Sequence, residues 1–380
     1  MASDAGEAAP AQMIDLFAGP GGMDVAAHWL GISVHGVEWD DNACATREAA
    51  GLLTSHKDVR DLGPELFSKA KVLAGGPPCQ TFSVAGSGVG REALDEVLHF
   101  VDRMGVGDKT VKVELKKLRD ERTGLVLEPL RWALDAFDIH DCAYEVIVLE
   151  QVPAVLPVWE RMASVLEARG YKVDTGILRT EQFGVPQTRR RAILVAHLHR
   201  QPQLPKVTHR VFRRGAVKPA GDTHLPNWLT MGPVLEPDKE FVVVSNYGSG
   251  GDPKARGERR FDEPAYTVTG KVSRNKIVTL DGRYLRNLDT RDSGRLQTFP
   301  HDYPWAGKDV AQQVGNAIPP RLAVHVLSWA IFDQAPNEAA LNAVVADDWE
   351  NSKGGVRQEL LRVGDEVDDD YSGVLFDIDS

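Results

Sequence analysis

Only three cysteines occur in the 380 residues, Cys44, Cys79 and Cys142, and three scattered thiols cannot build a disulfide framework. No CxxC pair and no spaced Cys/His cluster is present, so no metal centre is expected. Long apolar runs are also missing. The longest near the end, Leu322 to Phe332, is too short to span a bilayer, and Met1 to Gln12 is small and acidic where a secretory leader would be basic. The expectation is a cytoplasmic protein with no membrane association and reduced thiols. Net positive charge is absent too: the chain carries -11, which taken whole disfavours a polyanionic partner.

Its distribution reverses that reading. From Asp347 to Ser380 eleven acidic residues face Lys353, Arg357 and Arg362, a local balance of -8, whereas His197 to Arg291 holds 17 Lys and Arg against 10 Asp and Glu, a local +7. A basic middle therefore lies between acidic flanks. A hydrophobic content of 42% over this length suits one large domain with a smaller companion.

Short apolar runs alternate with amphipathic stretches over the first two hundred residues, the pattern of an α/β fold with a Rossmann-like sheet and helices on both faces. Met13 to Phe17, Ile32 to Val37, Lys71 to Ala74, Val146 to Leu149, Tyr171 to Ile177 and Ala192 to Ala196 read as strands, and Met23 to Leu30 as a helix closed by Gly31. Residues 13–199 are expected to form the main domain, with a helical insertion over 91–119 carrying Leu94, Leu98 and Val101 at helical spacing. Beyond His199 the chain turns Pro- and Gly-rich, and 200–290 reads as a smaller, mostly β domain. Residues 291–333 return to the first domain through a helix within Ala317 to Phe332. The ends, 1–12 and 347–380, are expected to be flexible and disordered, respectively.

Three constellations carry chemistry. In Asp15-Leu-Phe-Ala-Gly-Pro-Gly-Gly22 a strand runs into a glycine turn that opens a helix, so a ligand can approach backbone N–H groups at a positive helix end. Glu38, nineteen residues after Gly19, ends the next strand where a carboxylate accepts from ribose hydroxyls, and Trp39 beside it can stack on an adenine. Lys71 to Ser83 delivers Cys79 on a Gly-Gly-Pro-Pro turn beyond a strand's C-terminal end, a loop position unlike that of a buried structural thiol. Glu150 ends Val146 to Leu149 at the same edge and can face the crevice of Cys79. Gln187-Thr-Arg-Arg-Arg191 precedes a strand, and period-two geometry puts Gln187, Arg189 and Arg191 on one side.

These motifs resemble those of the cytosine-C5 DNA methyltransferase family over about Met13 to Leu327. DLFAGPGG is similar to its first motif, Val37 to Asp40 to the second, Asp58-Val59 to the third, and GGPPCQTFS to the nucleophile motif. Glu121 to Arg131, Glu150-Gln-Val, Gln187 to Arg191, Arg295 to Pro300 and Gln313 to Pro320 resemble the fifth, sixth, eighth, ninth and tenth. The resemblance implies S-adenosylmethionine as cofactor, held by Phe17, Ala18, Gly19, Gly21, Gly22, Glu38, Trp39, Asp58, Val59, Pro78, Leu125, Asn316 and Ala317. It implies Cys79 as nucleophile on C6 of a flipped cytosine, Glu150 at N3, and Arg191 with Arg189 at the base carbonyl.

Duplex DNA is the expected partner, met by Gln80, Ser83 and Gln187 and by Arg213, Arg214, Arg256, Arg259, Arg260, Lys271 and Arg274 of the basic middle, the target-recognition segment. A restriction-modification role beside a cognate endonuclease, in a monomeric enzyme, is the accompanying expectation. Methylation of RNA, or a catalytically silent DNA-binding protein of the same fold, are the competing readings. Two departures stand out: Gln151 follows Glu150 where the family has Asn, and the stretch between the nucleophile and fifth motifs is longer than usual.

Overall fold

A computed structural model describes residues 11–78, 88–115, 122–215, 224–248, 256–271 and 274–361. The main sheet has seven strands: β1 (Met13–Leu16), β2 (Val34–Glu38), β3 (Thr54–His56), β4 (Val72–Gly75), β5 (Val146–Gln151), β6 (Lys172–Arg179) and β7 (Arg190–His197). They lie in the order β3-β2-β1-β4-β5-β7-β6, with β7 antiparallel to both its neighbours and all pairs from β3 to β5 parallel. The C-terminal ends of β1, β2, β4 and β5 and the start of β7 consequently share one edge, the edge at which open α/β sheets bind ligands.

The sheet is covered on both faces, which explains why its strands read as continuous apolar runs. Alternate residues enter opposite cores. Met13, Val72, Val146 and Val148 pack with Trp29, Leu322 and Val326, while Ile14, Leu73, Ile147 and Leu149 pack with Trp132 and Trp159. Helices Gly22–Trp29 and Pro320–Leu327 cover the first face, and Glu128–Asp138 and Leu156–Glu167 the second. A smaller antiparallel sheet, β8 (Val242–Gly248), β9 (Arg256–Arg260), β10 (Lys276–Val278) and β11 (Tyr284–Asn287), has the order β11-β10-β8-β9. Its inner residues Val243 and Ile277 pack with Leu296 and Val314, so the small core is continuous with the returning helices.

Several expectations change. β1 stops at Leu16 because Phe17 takes a left-handed conformation, φ 58°. β3 went unread because its Thr-Ser-His sequence has no apolar residue to bury at an edge. The helix Gly88–Gly105, within the expected insertion, packs into the second core: Val97 and Val101 are fully buried, against the layer of Leu156–Glu167. Residues 347–361, expected to be part of a disordered tail, form two short helices. Trp349–Ser352 and Arg357–Leu360 anchor the segment with buried Trp349 and Leu360, two apolar residues masked by the charge of their neighbours. Residues 1–10 and 362–380 lie outside the described residues.

Behind β1 and β2 sits a fully buried ion pair. Arg47 donates to both carboxylate oxygens of Asp24, at 2.9 and 2.7 Å, and to Thr54 Oγ1 and Leu53 O. Burial, followed by the charge of Asp24, pushes the carboxyl of neighbouring Asp15 well up. Asp24→Ala, which strands the Arg47 charge, is expected to cost about 3–5 kcal/mol in urea unfolding. The double change Asp24→Leu with Arg47→Met should cost far less. Equal losses from both would contradict the pairing.

Candidate active site

The glycine turn leaves β1 through Phe17, Gly19 and Gly21, all at positive φ (58°, 53° and 101°). Gly22 is required by packing: a Cβ there would lie 2.3 Å from the Ile318 carbonyl oxygen. Gly19 faces open space, with no atom nearer than 4.0 Å to such a Cβ. Its N–H donates to Glu38 Oε2 at 2.8 Å, and Glu38 Oε1 accepts from the N–H groups of Trp39 and Asp40. The end of β2 is thereby tied to the turn after β1, and Glu38 Oε2, which accepts a single bond, keeps acceptor capacity for a further donor.

A cleft opens beside that carboxylate. Its apolar walls are Phe17, Val37, Val59 and Leu125, and its rim carries Trp39, Lys57, Asp58 and Arg60. Trp39 is 63% exposed, leaving indole surface open at the rim. Arg60 donates to Asp58 Oδ2 from Nη2 at 2.6 Å; burial opposes ionisation of Asp58, but the Arg60 hydrogen bonds outweigh it and hold the carboxyl below its ordinary range. Apolar walls for a purine, open indole surface and a carboxylate at a glycine turn fit an adenosine group.

Of the thirteen residues expected around the cofactor, Phe17, Glu38, Trp39, Asp58, Val59 and Leu125 line this cleft. Ala18, Gly21 and Gly22 are buried within the turn, and Pro78 lies just beyond the end of β4. Asn316 is exposed, with its Oδ1 accepting from Gln312, while Ala317 is buried; the cleft walls include neither. Lys57 and Arg60 were missed, because only spatial proximity marks them.

Glu150 lies near the end of β5 with 6% of its surface exposed. Register sets Glu150 opposite Ile193, so Arg191, two residues earlier on β7, lies on the same face and its Nε ion-pairs with Glu150 Oε1. Burial raises the Glu150 carboxyl and Arg191 only partly offsets this, so the acid is held above its usual range. A Cβ on Gly76 would lie 3.6 Å from Glu150 Oε2, which places the end of β4 beside the acid. Gln151 Nε2 donates to the Pro77 carbonyl at 2.5 Å, and its Oε1 accepts from Val152 N. This glutamine thus spans from β5 to the turn that leads, two residues later, to Cys79. Cys79, Gln80 and Ser83 lie outside the described residues.

Gln187 and Arg189 do not join the edge. Gln187 is fully buried: its Nε2 donates to Leu296 O and Gln297 Oε1, and its Oε1 accepts from Val268 N. Arg189, 2% exposed, donates to Val268 O and Gly315 O, each at 2.8 Å. Both precede β7, where the chain has left the pleat, so alternation does not extend to them. They clamp the small sheet and the returning helix to the main sheet; in this structure neither has surface to offer DNA or a base. The partner of Gln187, Gln297, lies in the segment Arg295 to Pro300 that the resemblance marks, but its role there is visible only in the tertiary contact.

Among the basic residues, Arg213, Arg214, Arg260, Lys271 and Arg274 are exposed, while the side chain of Arg256 lies outside the described residues. Arg259 differs: its guanidinium sits between the rings of Phe212 and Tyr266, 4.4 and 4.7 Å from their centroids. No helix among the described residues is long and apolar enough to cross a membrane.

A sequence profile for the C-5 cytosine-specific DNA methylase family matches residues 11–100, 143–227 and 236–330. Among curated relatives, the Type II methyltransferase M.AplI of Arthrospira platensis is 26% identical over 325 residues, covering 82% of this chain and 83% of the relative. M1.HphI of Haemophilus parahaemolyticus, also a Type II methyltransferase, is 27% identical over 361 residues, covering 86% and 87%. The fold is similar to that of the Schizosaccharomyces pombe Dnmt2 methyltransferase (TM-score 0.53, 16% identity, 83% of this chain and 96% of that one). It is likewise similar to a Spodoptera frugiperda DNMT2 mutant (TM-score 0.54, 13% identity, 84% and 99%). Sheet, cleft and acidic edge define a class of methyl-transferring enzymes. Within that class, the chain belongs to the C-5 cytosine-specific DNA methylase family, whose methyl donor is S-adenosylmethionine.

Gln151→Ala should slow reaction of the Cys79 thiol, two residues beyond Pro77, by about tenfold, the loss of a single well-placed hydrogen bond, while leaving cofactor affinity unchanged. Alkylation kinetics of Cys79 beside a cofactor titration separate the two, and an unaltered thiol rate would show that the bond to Pro77 does not hold the turn.

Proposed function

We propose that this enzyme methylates carbon 5 of a cytosine flipped out of a specific site in duplex DNA, through a covalent bond between Cys79 and C6. The observation that carries the reading is Glu150: a buried carboxyl, raised by desolvation, at the edge where β4 runs toward Cys79. When bound, S-adenosylmethionine supplies an electrophilic methyl group on its sulfonium. Everything else falls to the chain. A paired base hides C5 and C6 in the stack, so extrusion is a steric requirement costing a few kcal/mol.

The Cys79 thiolate then adds to C6, and the electron pair released from the ring is met at N3 by the proton of Glu150, leaving a nucleophilic C5. Arg191 holds Glu150 in place and can donate to the base carbonyl beside N3. After transfer, water takes the C5 proton, the pair from that C–H bond expels Cys79 as thiolate, and N3 returns its proton to the Glu150 carboxylate, which restores the aromatic ring. The other two thiols are poor candidates. Burial, then the Glu38 charge, pushes Cys44 up to about 11, and burial also raises Cys142.

Exposed Arg213, Arg214, Arg260, Lys271 and Arg274 on and around the small sheet supply phosphate and base contacts for duplex DNA. We extend to this chain the Type II context in which its relatives are named, a host-protecting methylation paired with an endonuclease of the same specificity.

DNA carrying 5-fluorocytosine at the target, where fluorine blocks loss of the C5 proton, should trap a denaturation-resistant adduct that Cys79→Ala abolishes. An adduct persisting in Cys79→Ala would overturn the assignment. Glu150→Gln should slow adduct formation by about 10²–10⁴-fold. The sign of the pH effect follows from a raised acid: the wild-type rate holds while Glu150 is protonated and falls on the alkaline side, and the Glu150→Gln enzyme loses that limb. Bisulfite sequencing of DNA from an expressing host reads the site itself.

A further inference from the structure

The glycine turn is supported from behind by residues that none of the above assigns to the reaction. Tyr303, 4% exposed, donates its hydroxyl to the Pro20 carbonyl at 2.5 Å, and a Cβ at Gly21 would sit 2.9 Å from that same hydroxyl oxygen. The phenol is therefore the floor of the turn. A loop with three left-handed residues in five, Phe17, Gly19 and Gly21, is held only where its surroundings over-determine it. The Pro20 carbonyl is a point where one bond fixes a peptide plane between two of them.

Tyr303 is itself immobilised by rings. Phe299, Trp305 and Trp349 stand 4.8, 5.0 and 5.6 Å from it, centroid to centroid. Trp349 comes from the segment after residue 330, where the family match ends. It is 1% exposed, its N–H accepted by Asp302 Oδ1 at 2.7 Å and its indole Nε1–H by Ala50 O at 3.0 Å, with His28 of the helix Gly22–Trp29 edge-on at 5.7 Å. Val356 N donates to Trp29 O at 2.9 Å, at the far end of the same helix. Trp349 and Val356 thus hold the C-terminal end of the helix that the glycine turn opens, and Trp349 reaches the turn itself only through Tyr303.

We propose that Tyr303, braced by Trp349, is a positioning residue for cofactor binding: its bond to Pro20 sets the backbone against which the cofactor's adenosine end is held. The inference rests on the reading of the Phe17–Trp39 cleft as the cofactor site. Burial, followed by the nearby Asp24 charge, pushes the phenol far up, so it remains a donor across the working pH range.

The test is equilibrium titration of the full chain with S-adenosylhomocysteine, beside kcat at saturating S-adenosylmethionine. Tyr303→Phe keeps the ring in its stack and removes only the donor; it should weaken binding about 3- to 10-fold with kcat at saturation within about twofold of wild type. Trp349→Phe should bind as wild type does, while Trp349→Ala weakens binding at least as much as Tyr303→Phe. Trp39→Ala, which strips the exposed indole from the cleft, checks the underlying reading. Weakened binding in Trp39→Ala with wild-type affinity in Tyr303→Phe would overturn the proposal and leave the cleft assignment standing. Wild-type affinity in both would overturn the two together. A Tyr303→Phe enzyme that loses kcat in step with affinity would also refute it, since a positioning bond at the cofactor end moves only the binding constant.

Discussion

Between Glu150 and Arg191 two opposing effects meet, and their balance decides what the edge of the sheet can do. Desolvation favours the neutral acid, the guanidinium favours the carboxylate, and at 6% exposure desolvation dominates. The antiparallel register of β5 and β7 fixes the contest, because it sets Arg191 diagonally across from Glu150 on one face of the sheet. An all-parallel sheet would bring a strand's C-terminal end to that place. The reversal of β7 instead delivers a charged strand start, and with it the cation that orients the acid.

Around this pair the sheet edge divides into two workplaces. Toward β1 and β2 lie the turn, Glu38 and the cleft with its open indole; toward β4, β5 and β7 lie the acid and the turn that continues to Cys79. In the order β2-β1-β4-β5 the strand ends that carry Glu38 and Glu150 are three strand spacings apart, about 14 Å.

Much of this was legible in the sequence because buried parallel strands announce themselves as apolar runs and glycine turns as clusters. Six strands, the helix ending before Gly31 and the position of Glu150 followed from those signals. β3 did not, since a three-residue polar edge strand has neither run nor alternation. Gln187 and Arg189 were placed at the active edge by a period of two that begins only at Arg190. Charge averaging concealed Trp349 and Leu360, whose burial depends on contacts with residues about three hundred positions earlier. What sequence pattern cannot carry is long-range tertiary pairing, and Tyr303 with Pro20 is another instance.

The clamp ahead of β7 joins the small sheet to the large one almost wholly through main-chain carbonyls: Arg189 reaches Val268 O and Gly315 O, Gln187 reaches Leu296 O, and Gln297 reaches Val314 O and Ala317 O. A carbonyl oxygen is indifferent to the side chain it accompanies. The outward face of the small sheet is therefore free to diverge in sequence while the joint that ties it to the main sheet stays the same.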